Sequence, residues 1–326
     1  MNTRCFGKTN VPVSEIGLGT WQLGTRWGDP FNALEAEKIL QTAYDNGITF
    51  IDTADVYNGG ESEKAIGSFI KDKKDKLYIV TKAGRNLKPH TDEQYTSANI
   101  EGFVDASLKR LGVDKLDMVL LHCPPSSVYR KDSLFTGLDK MKITGKIANY
   151  GVSIEKVSEG INAMEYDVAG MEIIFNMFRL KPLDELFTLT KKNNVGVIAR
   201  VPLASGLLTG RYTKDTTFGA EDHRSFNRDG AAFDKGETFS GINYDLGLTA
   251  VEELKKLFGT EDLIPYALRW ILMHDAVSVV IPGASKAEQV ISNIRATEMD
   301  ALTVAQMQGV QDIYDKYIRA EAHDLW

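Results

Sequence analysis

Asp52, Tyr57, Lys82 and His122 are the residues of this sequence whose types and spacing suggest chemistry. Asp52 closes the apolar run Ile48–Ile51 and leads into Thr53-Ala54-Asp55-Val56-Tyr57. Lys82 follows Leu77–Thr81, and His122 follows Asp117–Leu121. Each has an ordinary structural role when taken alone. A histidine after an apolar strand is commonly a hydrogen-bonded core residue, Lys82 can cap a strand, Asp52 can cap a turn, and Tyr57 can be a loop aromatic. At the same end of consecutive strands they bring a carboxylate, a phenol, an ammonium and an imidazole to one rim. That set suits carbonyl reduction, which needs a hydride and then a proton on the developing alkoxide. A phenol with an ordinary pKa near 10 can supply the proton if a neighbour tunes it. The Lys82 ammonium is expected to favour the phenolate and lower that pKa, with Asp52 holding Lys82 charged and placed. His122 can hydrogen-bond the carbonyl oxygen and orient it. The same atoms run backwards for alcohol oxidation.

Other reaction classes fit less well. The five histidines and two cysteines do not fall at metal-ligand spacing, and His122-Cys123-Pro124-Pro125 is not such a spacing. There is no G-x-S-x-G elbow for serine hydrolysis. Gly206–Arg211 (GLLTGR) is not a phosphate-binding G-x-x-x-x-G-K-[ST] loop. Asp52 with Glu172 could flank a glycosidic bond, but that leaves Tyr57 and Lys82 without roles.

The elements that must position these groups alternate along the chain. Short β-branched runs fall at Glu15–Thr20, Ile48–Ile51, Leu77–Thr81, Asp117–Leu121, Ile147–Gly151, Met171–Ile174, Val195–Arg200 and Val277–Ile281. Helical patterns lie between most of them, among them Ala33–Asn46, Glu61–Lys71, Gln94–Leu111 and Asp184–Asn193. Strict β-α alternation predicts a parallel sheet covered by helices. Eight such units predict an α/β fold, the closed (β/α)8 TIM barrel, whose catalytic groups stand at the carboxyl ends of the strands. The rival is a doubly wound open sheet, which wants G-x-G-x-x-G after its first strand. Gly17-Leu18-Gly19 begins that pattern, but Gln22 stands where its third glycine belongs.

Three segments are surplus to the barrel. Thr3–Val13 reads as an N-terminal hairpin turning at Gly7-Lys8-Thr9-Asn10, and Thr303–Ala320 as a C-terminal helix. Tyr212–Gly247, after the seventh strand, lacks clean periodicity. It carries Phe218, Phe226, Phe233 and Phe239, so it is expected to dock as a lid or binding loop rather than stay disordered. No linker splits the chain, so residues 1–326 are expected to form a single domain. The net charge of −7 and the absence of a basic run argue against nucleic acid or an anionic membrane as partner. No apolar stretch is long enough to span a membrane, and the N-terminus lacks an apolar signal core. With only Cys5 and Cys123 and no CxxC, a reducing, cytoplasmic setting is the expectation.

The sequence resembles the aldo-keto reductase superfamily over essentially its whole length. The motifs are ITFIDTADVYNGGESEKAIG around Asp52 and Tyr57, IVTKAG around Lys82, LLHCP around His122, GVSI at Gly151–Ile154, PLASGLLTGR at Pro202–Arg211 and IPGASKAEQVISN at Ile281–Asn293. The resemblance implies the same barrel, NADPH as cofactor, a small-molecule carbonyl substrate, and catalytic roles for Asp52, Tyr57, Lys82 and His122. It implies that Gly19, Thr20 and Trp21 lie against the nicotinamide ribose, near Asp52, that Ser153 and Glu172 meet the carboxamide, and that Phe175 stacks on the nicotinamide ring. Leu203, Ser205, Gly206, Leu208 and Gly210 are expected around the pyrophosphate, where small residues let backbone N–H groups approach phosphate. Gly283, Ser285, Lys286, Gln289 and Asn293 are expected at the adenosine end, with Ser285 and Lys286 on a 2′-phosphate. Trp21, Tyr57 and His122 are expected to line the substrate pocket, joined by Trp27, and such aromatic walls suit apolar or aromatic aldehydes. Arg224 and Arg228 either reach an anionic group or pair with Asp222, Asp229 or Asp234.

Two positions depart from the family pattern. Ile154 stands in place of the usual asparagine of GVSN, and Glu172 in place of a glutamine. Both are expected to alter the grip on the nicotinamide. A bound amide can still donate to Glu172, while its oxygen loses a donor at Ile154. The alternative function is an NADPH-binding redox-sensing or regulatory subunit with little turnover, for which channel-serving members of the superfamily are the precedent.

Overall fold

The computed structural model describes residues 1–25 and 28–326. Strands β1 (Thr3–Cys5) and β2 (Pro12–Ser14) pair antiparallel as the expected hairpin. The remaining strands are β3 (Leu18–Gly19), β4 (Phe50–Asp52), β5 (Tyr78–Ala83), β6 (Leu116–His122), β7 (Ile147–Ser153), β8 (Gly170–Ile174), β9 (Gly196–Arg200) and β10 (Val277–Val280). They form one eight-stranded sheet in sequence order, with every neighbouring pair parallel. The first strand is shorter than the expected Glu15–Thr20, yet it closes the ring. Gly17 N donates to Val280 O at 2.8 Å and Gly19 N to Pro282 O at 3.1 Å, while parallel bridges join Ile16 to Val280 and Gly19 to Gly283. A Cβ on Gly19 would sit 2.9 Å from Ile281 O, so a side chain there would push the closing strands apart. Bonded first and last strands exclude the open doubly wound sheet.

The helices are α1 (Ala33–Asp45), α2 (Glu61–Phe69), α3 (Ser97–Leu111), α4 (Asp132–Ile143), α5 (Val157–Ala163), α6 (Leu186–Lys192), α7 (His223–Phe226), α8 (Tyr244–Phe258), α9 (Ile264–Leu272), α10 (Ala287–Ile294), α11 (Val304–Tyr317) and α12 (Arg319–Ala322). Local chemistry sets several of their limits. Asn32 caps α1 by accepting from Glu35 N at 3.1 Å, and Ala36, Ile39, Leu40 and Ala43 put one apolar stripe on the sheet. Thr96 caps α3 through Asn99 N, which moves its start inward from the expected Gln94. Gly112 ends the same helix in a left-handed conformation that a side chain disfavours. Thr303 and Gln306 form a reciprocal capping box at the start of α11.

Alternation along the strands divides the interior in two. Val119, Leu121, Tyr150, Val152, Met171 and Ile173 face the helices in the larger core. Val80, Met118, Leu120, Ile198 and Val279 face inward and fill the barrel together with Phe6, Phe50 and Tyr78. Phe6, in the hairpin turn, is fully buried and plugs the amino-terminal floor. Gly170 and Gly196 make room for it: a Cβ on either would come within 3.1 Å and 2.9 Å of the Phe6 ring. Phe6→Ala empties that floor and is expected to destabilise the fold by about 3–5 kcal/mol. Equilibrium denaturation of the variant checks this, and an unchanged midpoint would show that the plug contributes nothing.

Candidate active site

At the carboxyl rim, the inward positions of successive strands are Gly19, Asp52, Lys82, His122, Ser153, Glu172 and Arg200. Tyr57 comes from the turn after β4, where Asn58 and Gly59 take left-handed backbone angles and swing its ring over the mouth. Lys82 is wholly buried. Its Nζ donates to both carboxylate oxygens of Asp52 at 2.6 Å, to Thr53 O at 3.1 Å and to Tyr57 OH at 3.2 Å. Glu172 Oε2 lies 3.3 Å from the same nitrogen, and Glu172 Oε1 lies 3.8 Å from Arg200 Nε. The Tyr57 ring stacks near Trp21, with centroids 6.4 Å apart, and meets His122 edge-on at 6.1 Å. The four residues read from the sequence therefore do meet at one place.

Their electrostatics follow from burial. Loss of water would discharge Lys82, but Asp52 and Glu172 more than offset this and raise it above its ordinary value. Burial, then Glu172, push Asp52 above the ordinary carboxylate range against the pull of Lys82. Tyr57 is raised too, by burial first, with Lys82 opposing and Asp52 and Glu172 reinforcing the rise. Lys82 pulls the phenol in the expected direction, but burial, reinforced by Asp52 and Glu172, outweighs it, so the net shift is opposite to the one expected. His122 is held well below its ordinary value by burial and then by Arg85, Lys82, Arg200 and His90.

The rim opens into a cavity of about 500 Å³, within the range of small-ligand sites. Its walls include Gly19, Trp21, Asp52, Tyr57, His122, Ser153 and Glu172 from the rim, and Leu203, Ser205, Gly206, Gly283 and Gln289 from the last two loops. Ser205 and Gly206 both have positive φ, 55° and 100°, which bends this loop sharply over the cavity. A Cβ on Gly283 would meet only Gly19 O, at 3.9 Å, so the backbone there is open to close approach. Ser285 and Lys286 line an adjoining cleft of about 520 Å³ with Lys38 and Asn32. Gln289 Oε1 accepts from Ser285 N at 2.7 Å and Lys286 N at 3.2 Å, capping α10.

Several expected contacts do not reach the cavity. Thr20 is buried behind it, where its hydroxyl donates to Asp52 O at 2.7 Å and meets Ser62 Oγ at 2.9 Å. Leu208 is buried in the core, Gly210 ends the Ala204–Thr209 turn with φ 75°, and Asn293 donates to Gly283 O at 3.5 Å. Phe175 is not brought to the rim. It lies three residues after Glu172, so the alternation of the strand turns it outward, against Phe187, Trp270 and His274. Ile154 likewise follows inward Ser153 and packs into the outer core, while its carbonyl accepts from Arg200 Nη2 at 3.3 Å. The side chain at 154 therefore does not face the cavity. Trp27 lies outside the described residues.

Arg200, Arg85, His223, Phe233 and Glu237 line the cavity and were not read from the sequence as site residues. Arg200 was legible, since it closes β9 at the same inward parity as the other rim groups. The last three sit on the 212–247 segment, whose irregular pattern gives no register. That segment is docked as expected. Phe233 and His223 pack on Trp21, and Glu237 lies 3.6 Å from both Arg85 and Arg200. Arg224 pairs with Asp222 at 2.5 Å, and Arg228 Nε donates to Arg224 O at 2.7 Å, so the local pairing holds for Arg224.

A parallel barrel carrying an acid, a phenol and an ammonium on its carboxyl rim defines a class of enzymes that work on small molecules in the barrel mouth. This chain belongs to the Aldo/keto reductase family, whose profile matches residues 15–315. The aldo-keto reductase YhdN of Bacillus subtilis is 32% identical over 89% of this chain and 86% of its own length. The holo form of the aldo-keto reductase AKR11C1 from Bacillus halodurans superposes with a TM-score of 0.79 at 25% identity, covering 99% of this chain and 100% of that one. Glycerol dehydrogenase AKR11B4 from Gluconobacter oxydans gives 0.79 at 28%, covering 97% and 96%. The chain is thus an oxidoreductase of a family that uses a nicotinamide cofactor and acts on small carbonyl compounds.

His122 is expected to stay neutral across roughly pH 5–8, the interval in which an ordinary histidine titrates. A depressed pKa means that it gains its proton only at lower pH. Nitrogen-15 NMR of the imidazole checks this, and a midpoint near the ordinary 6.5 would refute it.

Proposed function

We propose that this protein reduces aldehydes or ketones to alcohols with NADPH, and that Tyr57 is the proton donor. The observation that carries the reading is the Lys82 ammonium, clamped by Asp52 at 2.6 Å and 3.2 Å from the Tyr57 hydroxyl. Bound NADPH supplies the hydride to the carbonyl carbon. The chain's own groups handle the oxygen. The Tyr57 hydroxyl gives its proton to the carbonyl oxygen as charge develops there, and Lys82 stabilises the phenolate left behind. Neutral His122 orients the same oxygen through an N–H. Trp21 and Phe233 wall the mouth and exclude water, which strengthens each of these interactions.

Features of the cavity suit the cofactor. His122 Nδ1 is a buried polar atom with no hydrogen-bond partner among the described residues, as a group awaiting a polar ligand would be, while Glu172 Oε2 and Arg200 Nε make only the ion pairs at 3.3 Å and 3.8 Å and no hydrogen bond. Ser153 and Glu172 are the groups to hold a carboxamide. Leu203, Ser205 and Gly206 suit the pyrophosphate, while Gly283, Ser285, Lys286 and Gln289 suit the adenosine end. Lys286 is the cation we assign to the 2′-phosphate.

Tyr57→Phe is expected to lower kcat by about 10²–10⁴-fold, the usual contribution of a general acid. NADPH binding, followed by tryptophan quenching, should be nearly unchanged, and lost binding would undermine the proton-donor role. Lys286→Ala is expected to weaken NADPH roughly fivefold relative to NADH, the size of one solvent-exposed charge contact. Equal losses for both cofactors would remove the 2′-phosphate assignment.

A further inference from the structure

Lys82 Nζ carries three protons, yet five acceptors stand within reach. Asp52 takes it with both oxygens at 2.6 Å, Thr53 O is at 3.1 Å, Tyr57 OH at 3.2 Å and Glu172 Oε2 at 3.3 Å. Glu172 belongs to β8, two strands removed from the neighbours of β5 on that side, so it reaches Lys82 across the barrel mouth. It is almost wholly buried, and its other oxygen faces Arg200 at 3.8 Å. A neutral amide of the same shape would leave Asp52 as the one carboxylate facing Lys82. Here two carboxylates face one ammonium, and Tyr57 competes with both.

We propose that Glu172 is a positioning residue whose negative charge, set against Lys82 beside the Lys82–Tyr57 contact, keeps Tyr57 in its protonated, donating form, which confines alcohol oxidation to alkaline solution. The inference rests on Tyr57 being the proton donor. In reduction, two electrons pass as hydride from NADPH to the carbonyl carbon, and the Tyr57 proton passes to the oxygen; solvent then reprotonates the phenolate. In oxidation, the alcohol proton must pass to a Tyr57 phenolate while hydride leaves for NADP+. The first direction needs the phenol and the second needs the phenolate. The charged and titratable groups around the pair are Asp52 on β4, Lys82 on β5 with Arg85 just beyond it, His122 on β6, Glu172 on β8, Arg200 on β9, and His223 and Glu237 on the docked segment. Of these, Asp52 and Glu172 act with burial to raise Tyr57 above its ordinary value, against Lys82.

Glu172→Gln keeps the side-chain shape and removes the charge. The pH profiles of kcat/KM for reduction and for oxidation should both break at lower pH than in the parent, by about one unit or more. Below the break, oxidation at a fixed pH should then be roughly tenfold faster. A break that stays in place or moves to higher pH overturns the proposal. Tyrosinate absorbance reads the same group without substrate or cofactor. The difference between Glu172→Gln and its Tyr57→Phe double variant should titrate at lower pH than the difference between the parent and Tyr57→Phe. If Glu172→Gln does not fold, Glu172→Met, which removes the same charge and leaves Arg200 in place, must show the same downward move. Full turnover in Tyr57→Phe would refute the proton-donor reading by itself, whereas an inactive Tyr57→Phe with unmoved profiles in Glu172→Gln refutes the inference alone.

Discussion

An ammonium with no exposure to solvent is expensive to keep, and Lys82 is one. Desolvating such an ion costs several kcal/mol unless opposite charge and hydrogen bonds replace its water. The rim of the barrel is arranged to do that. Asp52 supplies the charge in bidentate form, Thr53 supplies a carbonyl, and Tyr57 supplies the remaining oxygen on the cavity side. Asp52 is itself held from behind, because its carbonyl accepts from both the backbone and the hydroxyl of Thr20. Thr20 in turn meets Ser62, which bonds Thr53. The short first strand, the turn bearing Tyr57 and the start of α2 are thus tied to one buried charge.

The second half of the rim is organised by a row of shared charges. Glu172 stands between Lys82 and Arg200, and Glu237 of the docked segment stands between Arg200 and Arg85. None of these longer pairs is a tight ion pair. Each carboxylate is divided between two cations, so a change at one end is felt at the other. The loop that covers the mouth is therefore linked electrostatically to the group beside Tyr57. Trp326 adds an anchor from the opposite side of that loop, stacking 3.6 Å from Arg179 and donating to Asp234 at 3.0 Å.

Much of this was legible because a barrel imposes a simple rule. Strand ends carry chemistry, and inward residues recur every second position. Asp52, Lys82 and His122 each follow an unmistakable apolar run, so their convergence could be read directly. Arg200 obeys the same rule, closing the seventh run at the inward parity, so its place at the rim was legible too. Phe175 and Ile154 show the converse. Sequence resemblance placed them at the ligand, but strand parity turns both toward the helices. The sign of the Tyr57 shift was illegible for another reason: it depends on the balance of burial against three charges, which spacing along a chain does not carry. His223, Phe233 and Glu237 lie in a segment without period, so their approach to the mouth exists only in the folded packing.

The floor of the barrel has a bearing on how the molecule is assembled. Phe6 occupies space vacated by glycines of β8 and β9, strands that are synthesised long after it. On a ribosome, the hairpin emerges early with its aromatic plug exposed and no receptacle. Its partners Gly170 and Gly196 follow it by 164 (170 − 6) and 190 (196 − 6) residues. Contacts of such long sequence separation are slow to form, because the intervening chain must be ordered first. The floor therefore closes late: a nascent barrel that has not yet acquired its seventh β-α unit leaves an apolar ring uncovered, the kind of surface that invites aggregation.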